Sequence, residues 1–202
     1  MNKVLDYLDE ILSDAKCELN YNSDYELLIA VMLSAQTTDK RVNEITKILF
    51  SKYNNPKDLA EASFNDVYEI IKPLGLANGK AKNIISISND IHNKYNDIVP
   101  NTLEELMKLD GVGRKTASVV LALGFNIPSL PVDTHLIRMA NRLGYSKSSD
   151  PLVVENDYKK YIKKEDWILA HHLLLLFGRY HCKAINPDCN NCKIKHFCIK
   201  NR

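Results

Sequence analysis

The sequence predicts an all-α protein, and two observations carry this prediction. Helical spacing of apolar residues recurs along nearly the whole 202-residue chain, without a sustained alternation of the strand type. Only 7 glycines and 7 prolines interrupt the chain, so the connecting loops should be brief. We therefore expect about ten short helices.

Apolar stripes and N-caps place these helices in order along the chain. A first stripe covers residues 4–15, and Ser23 with Glu26 forms a predicted capping box before the next apolar run. Ser63 and Thr102 are predicted N-caps of later helices, because each precedes an acid by three residues. Further helical segments are predicted near 42–49, 79–95, 113–124, 133–143, 152–162 and 165–180.

Charge is divided unevenly between the two halves of the chain. Residues 1–110 hold 12 Lys/Arg against 18 Asp/Glu, whereas residues 111–202 hold 15 against 7. Such asymmetry indicates a half that binds a polyanion, and the alternative is a chance excess on a solvated surface. No apolar run approaches the roughly 20 residues of a membrane span, and the N-terminus lacks a signal-like apolar block, so we expect no membrane association.

Four of the five cysteines lie in the last 21 residues, in the stretch CKAINPDCNNCKIKHFC. Cys182, Cys189, Cys192 and Cys198 follow the spacing C-x6-C-x2-C-x5-C, which in a cytosolic protein indicates a metal site rather than disulfides. Four thiolates can bind zinc or a [4Fe–4S] cluster. A single tight C-x2-C pair favours the cluster over a zinc ribbon. The surrounding lysines and arginines favour contact with a phosphate backbone over a role in electron transfer alone.

The stretch LDGVGRKTA, residues 109–117, joins two predicted helices through a glycine-containing turn. Such a helix–hairpin–helix presents backbone N–H groups at a helix N-terminus, where they fit a phosphate oxygen without reading base sequence. The alternative is an ordinary corner between two helices with a glycine cap.

Two residues are candidates for chemistry. Lys115 lies in the first turn of the second hairpin helix, where the helix dipole and Arg114 disfavour its protonated form. A neutral lysine is a nucleophile able to form a Schiff base, although a solvated surface lysine is the simpler alternative. Asp133, in PVDTH, is a predicted N-cap whose carboxylate could also deprotonate a lysine or stabilise a cationic sugar.

Together, LDGVGRKTA, PVDTH, LLIAVMLSAQTTD and the cysteine spacing resemble the endonuclease III family of DNA glycosylases and abasic-site lyases, within the helix–hairpin–helix superfamily. The match runs in order over residues 21–198. It implies a two-lobed helical fold with a C-terminal iron–sulfur cluster loop and a DNA cleft between the lobes. Residues 21–131 would form a helical barrel with the hairpin, and residues 1–20 plus 132–202 would form the cluster domain.

The resemblance also implies roles for individual residues. Lys115 would be the nucleophile, Asp133 its carboxylate partner, and the four cysteines the ligands of a [4Fe–4S] cluster. The implied DNA-binding residues are Gln36, which fills the gap of a flipped base, the wedge Leu76, the hairpin residues Gly111, Val112, Gly113 and Arg114, and His135. Two positions depart from the family: Asp110 stands where proline is common, and Ala77 where an aromatic residue is common.

The implied activity is base excision repair by a monomeric bifunctional enzyme in the cytoplasm, at the nucleoid. It would remove oxidised or damaged pyrimidines from double-stranded DNA and nick 3′ to the lesion by β-elimination. A monofunctional mismatch glycosylase is one alternative. Its adenine-excising form would carry glutamate at the position of Ala30, and both this form and the thymine-excising form would generally lack Lys115. The other alternative is a non-catalytic DNA-binding module with a structural metal loop.

Overall fold

The fold is helical, as the sequence predicts. The computed structural model describes residues 1–199, and no strand is present among them. The α-helices are α1 (Asn2–Ile11), α2 (Asp24–Leu33), α3 (Asp39–Lys52), α4 (Pro56–Ala60), α5 (Phe64–Ile71), α6 (Ala77–Tyr95), α7 (Leu103–Leu106), α8 (Arg114–Phe125), α9 (Thr134–Leu143), α10 (Pro151–Lys159) and α11 (Trp167–Leu176). Short 3₁₀ turns span Lys164–Asp166 and Lys195–Phe197, and a π turn spans Phe177–His181. Within the described residues, no helix has both the length and the apolar character that crossing a membrane requires.

The chain forms two compact units. Glu18–Ile127 make up one, called the hairpin unit below, and Met1–Cys17 with the chain from Pro128 onward make up the other, called the tail unit. These limits lie a few residues from the predicted domain boundaries. Lys115 belongs to the hairpin unit, whereas Asp133 and the four cysteines of the predicted cluster belong to the tail unit.

The predicted N-caps are confirmed. The hydroxyls of Ser23, Ser63 and Thr102 each accept a hydrogen bond from the backbone N–H three residues on, which satisfies a donor that the helix itself leaves unpaired. The capping box at Ser23 is only half formed. The Glu26 carboxylate accepts from the N–H of Asn22, 2.7 Å away, rather than completing the reciprocal bond at the N-cap residue.

The first helix is shorter than the apolar stripe predicts, since α1 ends at Ile11. Ser13 and Asp14 follow, and side chains of this kind compete with the helix for backbone hydrogen bonds. Cys17 therefore lies beyond the helix and is only partly buried.

The core of the hairpin unit is built around α2. This helix is buried on all sides, and Leu28, Ile29 and Ala30 have no exposed surface. A helix that is apolar around its whole circumference belongs in the centre of a core. It packs against α8, whose buried residues include Ala117 and Val120. This packing fixes the helix that carries Lys115.

The core of the tail unit joins α1 to the helices that follow the hairpin. Val4 and Leu8 of α1 are buried in one cluster with Leu136 of α9, Tyr158 of α10 and Leu173 of α11. The hydroxyl of Tyr158, itself fully buried, donates to the carbonyl of Leu136 at 2.9 Å. These contacts fix α9, the helix that Asp133 begins.

Candidate active site

The hairpin is the turn between α7 and α8, and its shape depends on one glycine. Gly111 has φ +75°, in the left-handed region that glycine adopts at little cost. A Cβ built there would lie 2.1 Å from Nδ2 of Asn83 on α6, so a side chain would displace that of Asn83. The side chain of Val112 is buried, and its N–H donates to the carbonyl of Leu109 at 3.1 Å, which closes the turn.

The hairpin delivers two cations to the N-terminus of α8. Gly113 is the N-cap and supplies no side-chain hydrogen bond, while Arg114 and Lys115 occupy the first turn with exposed side chains. The N-terminus of a helix attracts anions through its unpaired N–H groups. The turn therefore combines a site suited to a phosphate with an exposed primary amine.

Asp110, the residue that departs from the family pattern, is held by α6. Its Oδ2 accepts a hydrogen bond from the hydroxyl of Ser86 at 2.6 Å. This bond fixes where the extra negative charge of the hairpin lies. Neither Ser86 nor Asn83 was identified from the sequence, because both are ordinary polar residues of an amphipathic helix.

Two predicted DNA-contacting residues have an unusual backbone. Gln36 has φ 58° and Leu76 has φ 63°, and both side chains are exposed, Leu76 by 63%. A bulky residue such as leucine in the left-handed region is a genuine outlier, and such strain is concentrated at functional sites. Leu76 lies at the N-cap of α6, where its apolar side chain faces solvent instead of the core.

Asp133 is the N-cap of α9, as predicted. Its Oδ1 accepts from the backbone N–H groups of His135, at 2.8 Å, and Leu136, at 3.0 Å. The residue is half-buried, so its carboxylate is partly open to solvent. Capping therefore fixes the position of the carboxylate.

His135 is fixed by an arginine on the next turn of α9. Nη2 of Arg138 lies 3.0 Å from Nδ1 of His135, and a guanidinium can only donate. The imidazole therefore accepts at Nδ1, which puts the ring proton of the neutral form on Nε2. The half-buried ring thus presents Nε2–H as its remaining donor.

Two arginines of α9 hold the start of the cysteine segment, residues 182–198. Arg138 donates to the carbonyls of Gly178, at 2.6 Å, and Cys182, at 3.0 Å, and burial lowers the pKa of its guanidinium. Arg142 donates to Sγ of Cys182 at 3.0 Å and to the carbonyl of Lys183 at 2.8 Å. Neither arginine was identified from the sequence, although their i, i+4 spacing in IRMANR places them on one face of the helix.

The four cysteines are all partly buried. Burial raises the pKa of the Cys192 thiol, and the charges of the other three cysteines raise it further. A cavity of about 500 Å³ is lined by Cys182, Cys189 and Cys192 together with Tyr7 and Phe177. Within residues 1–199, no three metal-ligating side chains are placed closely enough to hold a metal ion. Among the lysines and arginines around the cysteines, Lys200 and Arg202 lie outside the described residues.

These features define the class of protein to which the chain belongs. Residues 29–164 match the family model of the HhH-GPD superfamily of base excision DNA repair proteins. The match covers more than half of the chain, and the chain belongs to this family.

Within the family, the chain is similar to bacterial proteins called endonuclease III. It is 44% identical to that of Bacillus subtilis strain 168, over 96% of this chain and 89% of the relative, and 45% identical to that of Rickettsia conorii, over 98% and 94%. Among solved structures, it matches a trapped endonuclease III–DNA covalent intermediate with a TM-score of 0.93 and 45% identity, over 98% of this chain and 93% of the other. A non-covalent endonuclease III–DNA complex matches with a TM-score of 0.95 and 44% identity, over 99% and 94%.

Proposed function

We propose that this protein is a bifunctional DNA glycosylase and abasic-site lyase that removes damaged pyrimidines through a Schiff base on Lys115. One observation carries the proposal. A lysine is exposed at the N-terminus of the hairpin helix, in a chain that is 45% identical to an endonuclease III trapped in a covalent intermediate with DNA. A covalent intermediate requires a nucleophile, and a primary amine attacking a sugar carbon supplies one.

The hairpin binds the DNA backbone next to this nucleophile. The amides of Gly111 and Gly113 hold a phosphate oxygen, and Val112 supports them by closing the turn. Arg114 adds positive charge toward the same backbone. Contacts of this kind fix the register of the enzyme on DNA without reading its sequence, as a search for rare lesions requires.

Gln36, Leu76 and His135 act on the duplex itself. A base can be excised only after it has left the stack, and extrusion costs a few kcal/mol. Leu76 enters the stack as an apolar wedge, Gln36 fills the gap left by the base, and His135 contacts the damaged base or the strand that carries it. A pyrimidine that has lost its aromaticity stacks poorly, so its extrusion costs less and it is selected.

Asp133 accepts the proton of the nucleophile. Its position at the head of α9 is fixed by the two backbone N–H groups that it caps. A carboxylate held in this way helps to deprotonate Lys115 and stabilises the positive charge that develops on the sugar.

The reaction then proceeds in two stages. The lone pair of Lys115 forms a bond to C1′ as the glycosidic C1′–N bond breaks, and the base departs with the electron pair of that bond and takes up a proton. The sugar ring opens to an imine, which acidifies the proton on C2′. Loss of this proton expels the 3′ phosphate oxygen, and the strand breaks 3′ to the lesion.

The four cysteines of the cysteine segment would hold a [4Fe–4S] cluster. Their donor chemistry fits, since each of four thiolates ligates a different iron of such a cluster and the four need not converge on one ion. The other three cysteines lie near enough for their charges to raise the pKa of the Cys192 thiol. The cavity beside them favours an occupant larger than a single ion. When bound, the cluster supplies a structural cross-link, and the segment presents Lys183, Lys193 and Lys195 to the DNA backbone.

The decisive experiment is borohydride trapping. The protein is incubated with a duplex that contains one abasic site and with sodium borohydride, which reduces the imine to a stable amine. We expect a covalent protein–DNA band that disappears in Lys115→Ala while DNA binding at fixed salt is retained. Lys57→Ala is the matched control, because Lys57 is an exposed lysine on α4 of the same unit.

Each other outcome of the trapping experiment identifies one of the alternative functions. A DNA-binding protein that excises a base without a trapped band is a monofunctional glycosylase. Binding without excision indicates a non-catalytic module. For the adenine-excising form, the buried Ala30 in the middle of α2 offers no group for the chemistry.

A further inference from the structure

A buried lysine of the hairpin unit is hydrogen-bonded to the turns that carry Gln36 and Leu76. Lys80, on α6, is 4% exposed, and its ammonium has neutral oxygens at hydrogen-bond distance. Nζ donates to the carbonyl of Ala35 at 2.7 Å, to the carbonyl of Leu33 at 2.8 Å and to the hydroxyl of Thr37 at 3.1 Å. The three donors of the ammonium match these three acceptors.

The acceptors of Lys80 surround Gln36. Leu33 is the last residue of α2, where unpaired carbonyls and the helix dipole favour a cation. Ala35 and Thr37 are the immediate neighbours of Gln36, whose φ is 58°. Lys80 thus binds the chain on both sides of a residue that is held in the left-handed conformation.

The backbone of Lys80 reaches the other strained residue. Its N–H donates to the carbonyl of Leu76 at 3.0 Å, in the first turn of α6. Leu76, at φ 63°, is the second exposed residue in the left-handed region that we assign to the DNA-opening step. A single residue therefore connects the turn that carries Gln36 to the turn that carries Leu76.

Burial of the charged Lys80 side chain costs free energy, and filling space in the core does not require a charge. Burial lowers the pKa of the Lys80 ammonium, because removal from water disfavours its charged form. A methionine would fill similar volume without this penalty. In some proteins, a buried charged group specifies one arrangement of the chain among several.

We propose that Lys80 is a positioning residue that sets the separation between Gln36 and Leu76, the two side chains that open the duplex. This inference rests on the proposed function. Lys80 itself touches neither DNA nor the reacting atoms. It is needed for extruding a stacked base and is dispensable for the chemistry at Lys115.

The test compares a step that requires base extrusion with one that does not. Lys80→Met keeps an unbranched side chain of similar volume and removes its hydrogen bonds. We expect it to excise dihydrothymine from a duplex at least about tenfold more slowly than the wild type, the size of effect expected when hydrogen bonds to a charged group are lost. Borohydride trapping on a single-stranded abasic oligonucleotide, in which no base needs to be extruded, should stay within about twofold of the wild type.

Two further variants complete the design. Lys94→Met removes an exposed lysine from the last turn of the same helix, and both activities should be unchanged, because the Lys94–Asp90 ion pair is a surface pair of little worth. Thr37→Val deletes one acceptor with little change of shape, and should give the same selective loss at smaller size. Thr37→Val tests the positioning role of Lys80 if Lys80→Met does not fold.

The outcomes separate this inference from the proposed function. Selective loss on the duplex supports the positioning role. Equal loss on both substrates, or no loss on either, overturns it while leaving the Schiff-base mechanism in place. A wild-type protein that gives no trapped band on a duplex with one abasic site overturns the proposed function itself.

Discussion

The two units hold their site residues by different means. In the hairpin unit, the exposed turns are tied to packed helices by hydrogen bonds, such as Ser86 to Asp110 and Lys80 to the turn around Gln36. In the tail unit, the cysteine segment has one buried side chain, that of Ile194, among residues 182–198, all of which the structure describes.

The difference shows which interactions order each region. The turns of the hairpin unit are fixed by contacts within the protein, so this part of the site is formed by folding. The cysteine segment buries too little apolar surface to offset the entropy of ordering its chain. Its conformation therefore depends on the arginines of α9 at its start and on the group that its thiols bind.

The largest expected loss of activity is at Asp133, where one substitution separates the structural role of the carboxylate from its chemical role. Asparagine caps a helix about as well as aspartate, so Asp133→Asn should leave the melting temperature nearly unchanged while base excision falls by a factor on the order of 10²–10⁴. Asp133→Ala should also lose about 1 kcal/mol of stability. Thermal melts and single-turnover excision measure the two effects.

Asp150, the N-cap of α10, is the matched control. It caps the N–H groups of Leu152 and Val153 in the same way, so Asp150→Asn should change neither stability nor activity. Normal excision by Asp133→Asn would show that the carboxylate of Asp133 has only a structural role.

Cys192→Ala tests whether the cysteine segment depends on a bound group. Loss of one thiolate should release the group, and trypsin should then cleave at Lys183, Lys193 and Lys195 at least about tenfold faster, since exposed chain is cut first. Cys17→Ala, a cysteine outside the segment, should leave the cleavage rate unchanged. Gel electrophoresis of timed digests distinguishes the segment from the resistant hairpin unit. Equal resistance in both variants would mean that the protein alone orders the segment.

Gly111→Ala tests the opposite case, a turn held by packing. The new Cβ would enter the left-handed region and displace Asn83, for a combined cost of about 1–3 kcal/mol. Gly79→Ala, at an open position inside α6, should instead stabilise the protein by up to about 1 kcal/mol. Urea unfolding of both variants gives the comparison, and a neutral Gly111→Ala would show that the turn is less constrained than its contacts indicate.

Leu76→Gly should change stability only a little, and with an unusual sign. Glycine relieves the left-handed strain, and little buried surface is lost, so the variant should be as stable as the wild type or more stable by up to about 1 kcal/mol. Base excision from duplex DNA should nevertheless fall. The same substitution at Leu152, an exposed residue in α10, should destabilise by about 1 kcal/mol. A marked loss of stability in Leu76→Gly would show that Leu76 packs more than its exposure indicates.

The fold was largely predictable from the sequence because its signals are local. Each helix cap, such as Ser63 or Thr102, bonds to a residue only three positions away. The hairpin glycines likewise determine the backbone at their own positions. The contacts of Lys80 could not be predicted, because they join residues 43 to 47 positions apart and a lysine on a helix is ordinarily a surface residue. The positive φ values of Gln36 and Leu76 were equally hidden, since neither residue type favours that conformation.

The single buried side chain of the cysteine segment has a consequence for handling the protein. The heat-capacity change and the denaturant dependence of unfolding both scale with the apolar surface that becomes exposed. A segment with one fully buried side chain contributes little to either quantity. A calorimetric or urea melt of the purified protein would therefore look normal after residues 182–198 had lost their order.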